Sequence, residues 1–263
     1  MIKELNHVGI RTADMENSID FYVNILGGTI VRDAKTLDGK GRFVYIQIVN
    51  SVIELITVDD PTAAGLAHIA FIIDDNASLD DCYEKVSGMG YGFTVPPKPA
   101  ASGDGRLAFF NDKSNCSFEL IERKIQPRHL LDNPHILEFD HISINLFDTC
   151  ADTCKSFYLE TMGFKIRKII QKDDCILSYY SHGIDTLETV HKLGGDEPDK
   201  TMLHLAFRVA DSYKIKEYLE SMGVNCPNPV ASSLRGDFNV LVIDGPDNVA
   251  IEFLDRPALE KYN

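Results

Sequence analysis

The 263 residues of the chain are enough for two domains of ordinary size, and a hydrophobic content of 44% is enough to form a core in each. The net charge of −14 argues against nucleic acid as a partner, because a polyanion is bound by clustered Lys and Arg side chains, and it disfavours an anionic membrane surface for the same reason. No stretch approaches the length of a membrane span, and the six cysteines form no CxxC pair. We therefore expect reduced thiols and a soluble, cytoplasmic protein that is a monomer or a homodimer.

The N-terminal residues predict one β-α-β-β-β unit. Apolar alternation begins at Leu5, Asp14 stands where a helix N-cap is expected, and Gly27 follows the last residue of a helical apolar pattern. Three further apolar stretches have the length of strands. The predicted elements are a strand at Leu5–Ile10, a helix at Met15–Leu26 and strands at Thr29–Arg32, Arg42–Val49 and Ser51–Thr57.

The following residues, up to Glu122, repeat this order of elements. A Pro- and Gly-rich stretch at 96–105 interrupts the second unit and predicts a mobile loop between two of its strands. The predicted elements are a strand at Leu66–Ile73, a helix at Leu79–Met89 and strands near Tyr91–Val95, Arg106–Asn111 and Ser117–Glu122.

Residues 125–138 hold two prolines among mixed polar residues and predict a linker between two domains, at 1–124 and 139–257. After the linker the pattern restarts, and fragments of the two halves match, such as LAHIAFIID with MLHLAFRVA and FELIER with IEFLDR. The sequence therefore predicts an α+β fold of four β-α-β-β-β units, paired into two domains. The elements predicted after the linker are strands at Phe139–Asn145, Phe164–Ile169, Cys175–Ser181, Thr186–His191, Thr201–Val209, Val224–Pro227, Phe238–Ile243 and Val249–Leu254, and helices at Ala151–Met162 and Ser212–Met222.

Each predicted unit carries a histidine in its first strand and a glutamate in its last. A histidine alone in a strand is more often structural, but four of the eight histidines recur with a partner glutamate, which core packing does not explain. A glutamate inside an apolar strand is costly to bury unless it is paired or bound to a cation. These residues are His7, Glu54, His68 and Glu119 in the first half and His141, Glu188, His204 and Glu252 in the second, at offsets of 133 to 136 residues.

Two imidazoles and two carboxylates form a natural ligand set for a divalent transition metal that keeps open positions for water or substrate. Zn, Ni, Co, Mn and Fe are all compatible with such a set, and the sequence does not choose among them. The duplicated pattern therefore predicts a metalloenzyme with one metal centre in each half.

These residues and their surroundings resemble the vicinal-oxygen-chelate superfamily, which includes glyoxalase I, bleomycin- and fosfomycin-resistance proteins, methylmalonyl-CoA epimerase and the extradiol dioxygenases. The likeness covers nearly the whole chain except the linker. The opening LNHVGIRTADMENSIDFYVNILGG, together with VIELI, GLAHIAFIID and FELIER, is most similar to glyoxalase I. The resemblance implies a curved sheet of two units around one metal ion, with two ligands from each unit. It assigns the ligand role to His7, Glu54, His68 and Glu119, and the repeat extends it to the second half.

The ligand set and the resemblance imply an isomerase, an epimerase or a glyoxalase-type lyase that acts on a small oxygenated substrate. The metal would stabilise the enediolate that forms when a proton is removed next to a carbonyl group. The base that carries the proton would be Glu54 or Glu119 in the first half, and Glu188 or Glu252 in the second.

Candidate contacts for an anionic substrate group are Arg11, Arg106, Arg208 and Arg235, because a guanidinium can bind a carboxylate or phosphate with two parallel hydrogen bonds. An exposed arginine is more often only solvated. No cluster of cations in the sequence can be assigned to the carboxylates of glutathione.

Two other functions remain open at this point. An extradiol-type ring-cleaving dioxygenase could use His141, His204 and Glu252, although members of that class resemble one another in a tyrosine about ten residues before the glutamate, where this chain reads FNVLVIDG. A non-catalytic protein of the same fold could bind a small molecule, although such relatives typically lose the metal ligands that this chain retains.

Overall fold

The computed structural model describes residues 1–124, 129–194, 201–233 and 236–257. Each half of the chain forms one eight-stranded mixed sheet that is curved but not closed, which confirms the predicted α+β fold of four units. The first half contains strands β1 (Ile2–Thr12), β2 (Thr29–Lys35), β3 (Arg42–Ile48), β4 (Ser51–Thr57), β5 (Gly65–Ile73), β6 (Phe93–Pro99), β7 (Arg106–Asn111) and β8 (Ser117–Glu122), and helices α1 (Met15–Ile19) and α2 (Leu79–Gly88). The second half contains strands β9 (Ile136–Leu146), β10 (Lys165–Gln171), β11 (Cys175–His182), β12 (Asp185–Lys192), β13 (Met202–Val209), β14 (Ala231–Ser232), β15 (Asn239–Asp244) and β16 (Ala250–Leu254), and helices α3 (Ala151–Ser156) and α4 (Ser212–Ser221).

The strand order is the same in both sheets. It is β2-β3-β4-β1-β5-β8-β7-β6 in the first sheet and β10-β11-β12-β9-β13-β16-β15-β14 in the second. Within a unit the first strand runs parallel to the last, as β1 does to β4 and β5 to β8. The two units of a half meet where their first strands pair in antiparallel fashion, β1 with β5 and β9 with β13. The four central strands of each sheet are therefore those that carry the predicted histidines and glutamates.

The central strands are covered on both faces, and their side chains alternate between two environments. In β1, Val8 and Ile10 belong to the hydrophobic core. Because alternate residues of a strand point to opposite faces, His7 and Gly9 lie on the other, concave face. Burial on both faces matches the unbroken run of buried residues from Leu5 to Ile10 in β1.

The first helix of each half departs from the regular α-helix that the sequence predicts. Helix α1 begins after Asp14, whose side chain accepts a hydrogen bond from the amide of Asn17 at 3.1 Å, and it continues as a wider π-helical segment at Asp20–Ile25. Helix α3 continues in the same way through Phe157–Met162. Among the described residues, no helix combines the length and the apolar character that crossing a membrane requires.

The two halves share one hydrophobic core. Buried apolar side chains from both sheets and from the helices form a single continuous cluster. Aromatic rings of the two halves meet in it: the ring centroids of Phe71 and Phe164 lie 5.9 Å apart, and those of Tyr91 and Phe157 lie 4.3 Å apart. Neither sheet therefore buries its apolar face without the other half of the chain.

Two predicted elements at the sheet edges are wrong. Strand β6 runs through Pro96 and Pro97 to Pro99, where the sequence predicted a mobile loop. It lies at the edge of its sheet, where a proline can direct the side that lacks an N–H group away from the neighbouring strand, so that no hydrogen bond between strands is lost. The strand predicted at Val224–Pro227 is not formed, and the two-residue β14 occupies the edge instead by pairing with β15.

The predicted linker at 125–138 overlaps the second sheet, because β9 begins at Ile136. Residues 125–128 lie outside the described part of the chain. The division into domains at 1–124 and 139–257 remains a proposal, and the shared core means that the two sheets form one packed body.

Replacing Tyr158 with Phe is expected to lower the free energy of unfolding by about 1–3 kcal/mol, because its buried hydroxyl donates a hydrogen bond across the two halves to Asp112. The matched control is Tyr22→Phe. Tyr22 is equally buried, but its hydroxyl has no hydrogen-bond partner among the described residues, so the change should stay within about 0.5 kcal/mol. Urea unfolding of both variants measures the difference, and equal losses would contradict the assignment.

Candidate metal centres

The first candidate centre lies on the concave face of the first sheet. In the β1–β5 pair, His7 lies opposite Ala70 and His68 lies opposite Gly9. The parallel neighbours complete two rows across the sheet, because Glu54 lies beside Gly9 and Glu119 lies beside Ala70. Two small residues thus separate the four large polar side chains, which converge above them.

The donor atoms of this centre are close enough to share one cation. The Nε2 atom of His7 lies 3.1 Å from Oε2 of Glu54 and 3.2 Å from Oε2 of Glu119. The Nε2 atom of His68 lies 3.5 Å and 3.3 Å from the same two oxygens, and the two imidazole nitrogens are 3.0 Å apart. Donor atoms at these separations can all lie about 2 Å from one central ion, which is the usual distance from nitrogen or oxygen to a divalent transition metal.

One carboxylate oxygen of the centre has no partner of its own. Oε2 of Glu119 is fully buried and makes no hydrogen bond, although both imidazoles approach it. A buried ionised oxygen without a hydrogen bond is costly, and a cation at the point of convergence removes that cost.

The second half repeats the arrangement with a more open geometry. His141, Glu188 and His204 offer donor atoms that all lie within 4.8 Å of one another. Glu252 is not part of this compact group, yet its Oε2 lies 3.0 Å from Nε2 of His204 and 3.5 Å from Nε2 of His141. His204 and Glu252 are 21% and 19% exposed, against 5% and 6% for their counterparts in the first half, so this centre is more accessible.

A hydrogen-bonded chain behind each centre orients one imidazole. In the first half, Nδ1 of His7 lies 2.8 Å from Oδ1 of Asn6, which also accepts a hydrogen bond from Arg123 at 3.0 Å. Because an amide oxygen can only accept, the Nδ1 atom carries the proton and Nε2 is left as the donor atom for a metal.

In the second half an aspartate takes the place of the amide. Nδ1 of His141 donates to Oδ1 of Asp140 at 2.7 Å, and the same carboxylate is held by Arg256 at 2.9 Å. Hydrogen bonds and the charges of His141 and Arg256 outweigh burial and lower the pKa of Asp140 to about 2. A carboxylate behind a metal-binding imidazole makes that imidazole more basic than an amide does, so the two centres differ in the electronic character of their ligands.

In each centre a tyrosine lies opposite one glutamate, on the neighbouring strand of the sheet. Burial and the neighbouring Glu54 raise the pKa of Tyr45, and burial and Glu188 raise that of Tyr179 in the same way. Glu188 also accepts a hydrogen bond from Ser143 at 2.6 Å, at the position that Gly9 occupies in the first half.

Sequence reasoning missed these tyrosines and the two arginines, Arg123 and Arg256. The signal that could have found them is the repeat itself, since each pair follows nearly the same offset as the histidines and glutamates.

The charges of each group favour protonated imidazoles as long as no cation is present. Burial acts to lower the pKa of His68, but Glu119 and Glu54 outweigh it and raise the pKa to about 9. In the same way Glu188 and Asp140 overcome burial and raise the pKa of His141 to about 10. Burial acts to raise the pKa values of the carboxyls, and the facing imidazoles lower those of Glu54, Glu119 and Glu188 despite it.

Each centre opens into a cavity, and the two cavities differ in size. The first has a volume of about 180 Å³ and is lined by Tyr45, Phe43 and Phe109 beside the glutamates. The amide of Leu37 donates to the carbonyl oxygen of Ala101, a residue of the cavity wall, at 3.0 Å, which connects turns from opposite edges of the curved sheet. The second cavity has a volume of about 390 Å³.

The sequence profile of the Glyoxalase/Bleomycin resistance protein/Dioxygenase superfamily matches residues 4–120 and 138–253. The chain belongs to this superfamily. It is 31% identical to the lactoylglutathione lyase of Escherichia coli O157:H7 over 135 residues, which are 48% of this chain and 97% of that protein. A lactoylglutathione lyase of Arabidopsis thaliana is 24% identical over 176 residues, or 64% of this chain, and the match spans only 57% of that relative.

Solved structures of the superfamily share the whole architecture. A Mn(II)-bound glyoxalase from Novosphingobium aromaticivorans matches with a TM-score of 0.72 at 16% identity, over 100% of this chain and 84% of that one. BphC, a halotolerant catechol dioxygenase, matches with a TM-score of 0.69 at 15% identity, over 97% of this chain and 87% of that one. At these identities the two structures show the fold, and the resemblance expected from the sequence is confirmed for the superfamily.

Of the arginines that the sequence suggested as anion contacts, the three that the structure describes do not line either cavity. Arg106 pairs with Asp80, and Arg208 pairs with Glu138. Arg11 is exposed on β1, and Arg235 lies outside the described residues.

Replacing Gly9 with Ala is expected to abolish metal binding by the first centre, because a Cβ atom there would lie 2.1 Å from Cε1 of His68. The control is Ser143→Ala, since the second half already accommodates a Cβ atom at the matched position. Elemental analysis after loading with excess Ni²⁺ should find one equivalent fewer per chain in Gly9→Ala and no loss in Ser143→Ala. Unchanged metal content in Gly9→Ala would contradict the assignment.

Metal loading at neutral pH is expected to release at least about one proton per centre, because the metal displaces protons from imidazoles whose pKa values are raised. Since His68 and His141 hold protons up to about pH 9 and about pH 10, the apparent metal affinity should rise with pH and level off near those values. In the metal-free protein, the ion pairs of protonated His68 and His141 with the glutamates stabilise the fold. This contribution to the free energy of unfolding is complete below the ordinary pKa of histidine and is lost as the pH rises through 9 to 10. A weakly buffered titration with a pH indicator measures the release, and a pH-independent affinity between about pH 6 and 8 would refute the expectation.

Proposed function

We propose that each half of the chain binds one divalent metal ion and that the protein catalyses proton transfer next to a carbonyl group of a small oxygenated substrate. The observation that carries the proposal is the convergence of imidazole nitrogens and carboxylate oxygens from four strands on one point in each cavity. The residues that would hold the ions are His7, Glu54, His68 and Glu119 in the first half and His141, Glu188, His204 and Glu252 in the second.

The orientation and burial of the donor atoms are suitable for binding a cation. His7 and His141 are fixed through Nδ1, which leaves Nε2 toward the carboxylates, and Oε2 of Glu119 is buried without a hydrogen bond. When bound, the ion supplies Lewis-acid stabilisation for the negative charge that develops on a substrate oxygen.

The glutamates of β8 and β16 are the proposed proton carriers. Glu54 and Glu188 lie opposite Tyr45 and Tyr179 in the neighbouring strands, and Glu188 also accepts a hydrogen bond from Ser143. Glu119 and Glu252, by contrast, form ion pairs only with the imidazoles among the described residues, so their carboxylates can turn toward a substrate. A carboxylate in that place can take the proton from the carbon next to a carbonyl group. Return to the neighbouring carbon gives isomerisation, and return to the same carbon gives epimerisation.

The second half also brings together the three residues that a ring-cleaving dioxygenase would use. His141 and His204 lie 3.1 Å apart, and Glu252 lies within 3.5 Å of both. Glu188 adds a fourth donor 3.4 Å from Nε2 of His141. Four protein donors leave fewer open positions than a triad of two histidines and one carboxylate, and Val240 rather than a tyrosine lines the cavity from β15, so we favour proton transfer.

The retained donors also favour an enzyme over a protein that only binds a small molecule. Such a protein gains nothing from buried carboxylates beside imidazoles, whose desolvation is costly unless a cation is held there.

The double variant Glu119→Gln/Glu252→Gln is expected to lose at least about 100-fold in catalysed proton exchange, because an amide cannot accept the proton. Deuterium incorporation into hydroxyacetone and lactoylglutathione, followed by NMR in heavy water, measures the exchange, and elemental analysis measures metal per chain. The matched control is Glu122→Gln, on the same strand β8 but paired with Arg106 outside the cavity. Full exchange and full metal content in the double variant would contradict the proposal. The absence of metal from the wild type after reconstitution would contradict it as well.

A further inference from the structure

Two lysines line the second cavity, Lys168 on the edge strand β10 and Lys172 directly after that strand ends. Lys168 lies opposite Tyr179 in the sheet, and the amide of Lys172 donates to the carbonyl oxygen of Cys175 at 2.9 Å, where the strand turns into β11. Neither ammonium group forms a hydrogen bond or an ion pair with any described residue. In a chain with 40 acidic residues and a net charge of −14, two cations left without an acidic partner in the wall of one cavity require an explanation.

In the first half the matched cation already has partners. Arg32 lies opposite Tyr45, as Lys168 lies opposite Tyr179. The guanidinium of Arg32 donates to the carbonyl oxygen of Ser102 at 3.2 Å and pairs with Asp104 at 3.5 Å. This cation therefore holds the loop after β6 over the smaller cavity and is not available to a ligand.

The other charged groups of the second cavity are engaged. Arg256 is held by Asp140, and Glu252 faces the imidazoles. Asp237 accepts a hydrogen bond from Ser233 at 2.6 Å. Among the described residues of the wall, the ammonium groups of the two lysines are thus the charges that a ligand can neutralise.

The remaining wall of this cavity is mostly apolar, with Tyr179, Ser232 and Ser233 as its neutral polar residues. A ligand that fills it has to match both an apolar surface and two cations. The apolar residues are Ile170, Leu177, Val190, Phe238 and Val240.

We infer that the second cavity selects substrates with an apolar body and an anionic group, a carboxylate or a phosphate, that lies against Lys168 and Lys172. The first cavity has less than half the volume, and the two arginines in its wall already have partners, since Arg42 pairs with Asp33 and Arg123 with Asn6. We do not expect it to share this selectivity. The inference deepens the proposed function, because it names the substrate class of the second centre, but it is tested by binding and not by turnover.

The test is calorimetric titration of the full-length protein with 4-phenylbutyrate, with its neutral amide 4-phenylbutyramide and with phenyl phosphate. The wild type should bind the better of the two anions at least about fivefold more tightly than the amide, since each lysine contributes a modest favourable interaction. The preference should disappear in Lys168→Met/Lys172→Met and persist in Lys165→Met, which removes one positive charge from an exposed residue of β10 outside the cavity. The relative affinity of the two anions identifies carboxylate or phosphate as the preferred group.

Repeating the titrations on chelator-treated protein separates this inference from the proposed catalysis. A preference that depends on the lysines and survives removal of metal supports the inference even if no proton exchange is found. A preference that vanishes with the metal would mean that the anion binds the metal centre, and the inference would be overturned. Equal affinities for amide and anions, an undiminished preference in the double lysine variant, or no binding of any probe at about 10 mM would overturn it as well.

Discussion

The antiparallel pairing of first strands, β1 with β5 and β9 with β13, is the constraint on which both candidate centres depend. One β-α-β-β-β unit supplies one histidine and one glutamate, so four donors converge only when two units share this pair. The register leaves no freedom, because a slip of one residue would turn His7 or His68 toward the core and expose apolar side chains on the concave face. The same pairing fixes the need for Gly9, since the ring of His68 lies where its Cβ would be. A centre built on four central strands is also rigid, which keeps the donors together before any ion arrives.

The parts of this architecture that are predictable from sequence are those that repeat or alternate. The four units follow from the alternation of strands such as β1 and from glycines such as Gly163 that end helices, and the eight candidate site residues follow from the repeat. Strand β6 was not predictable in the same way, because prolines are compatible with a strand only at an edge, and the edge is defined by strand order. The roles of Arg123 and Arg256 depend on which side chains meet behind the imidazoles, a relation between residues more than a hundred positions apart in the chain.

The two centres share a ligand set but differ in what surrounds it. Nδ1 of His7 is hydrogen-bonded to the neutral side chain of Asn6, whereas Nδ1 of His141 is hydrogen-bonded to the carboxylate of Asp140. Arg256 balances the charge of that carboxylate. Ser143 fixes Glu188 by a hydrogen bond that Gly9 cannot offer to Glu54. The first centre is more deeply buried and opens into the smaller cavity, whereas the second is more exposed and opens into the larger one. The same four donors thus lie in cavities that differ in size and in exposure to solvent.

The shared core constrains how far the two halves can diverge. Because Phe71 packs on Phe164 and Tyr158 bonds to Asp112, a change that distorts one sheet is transmitted to the other half, so a disused centre cannot collapse independently. Side chains on the concave faces can change at a lower cost in stability, because they face their own cavity and not the shared core. Buried carboxylates such as Glu54 and Glu119 lie there beside two imidazoles, and without a metal ion they are neutralised only as buried ion pairs, whose desolvation is costly. A half that had lost metal binding would be more stable with neutral residues at these positions, so the presence of all four donors in the narrow first cavity argues that this centre, too, holds an ion.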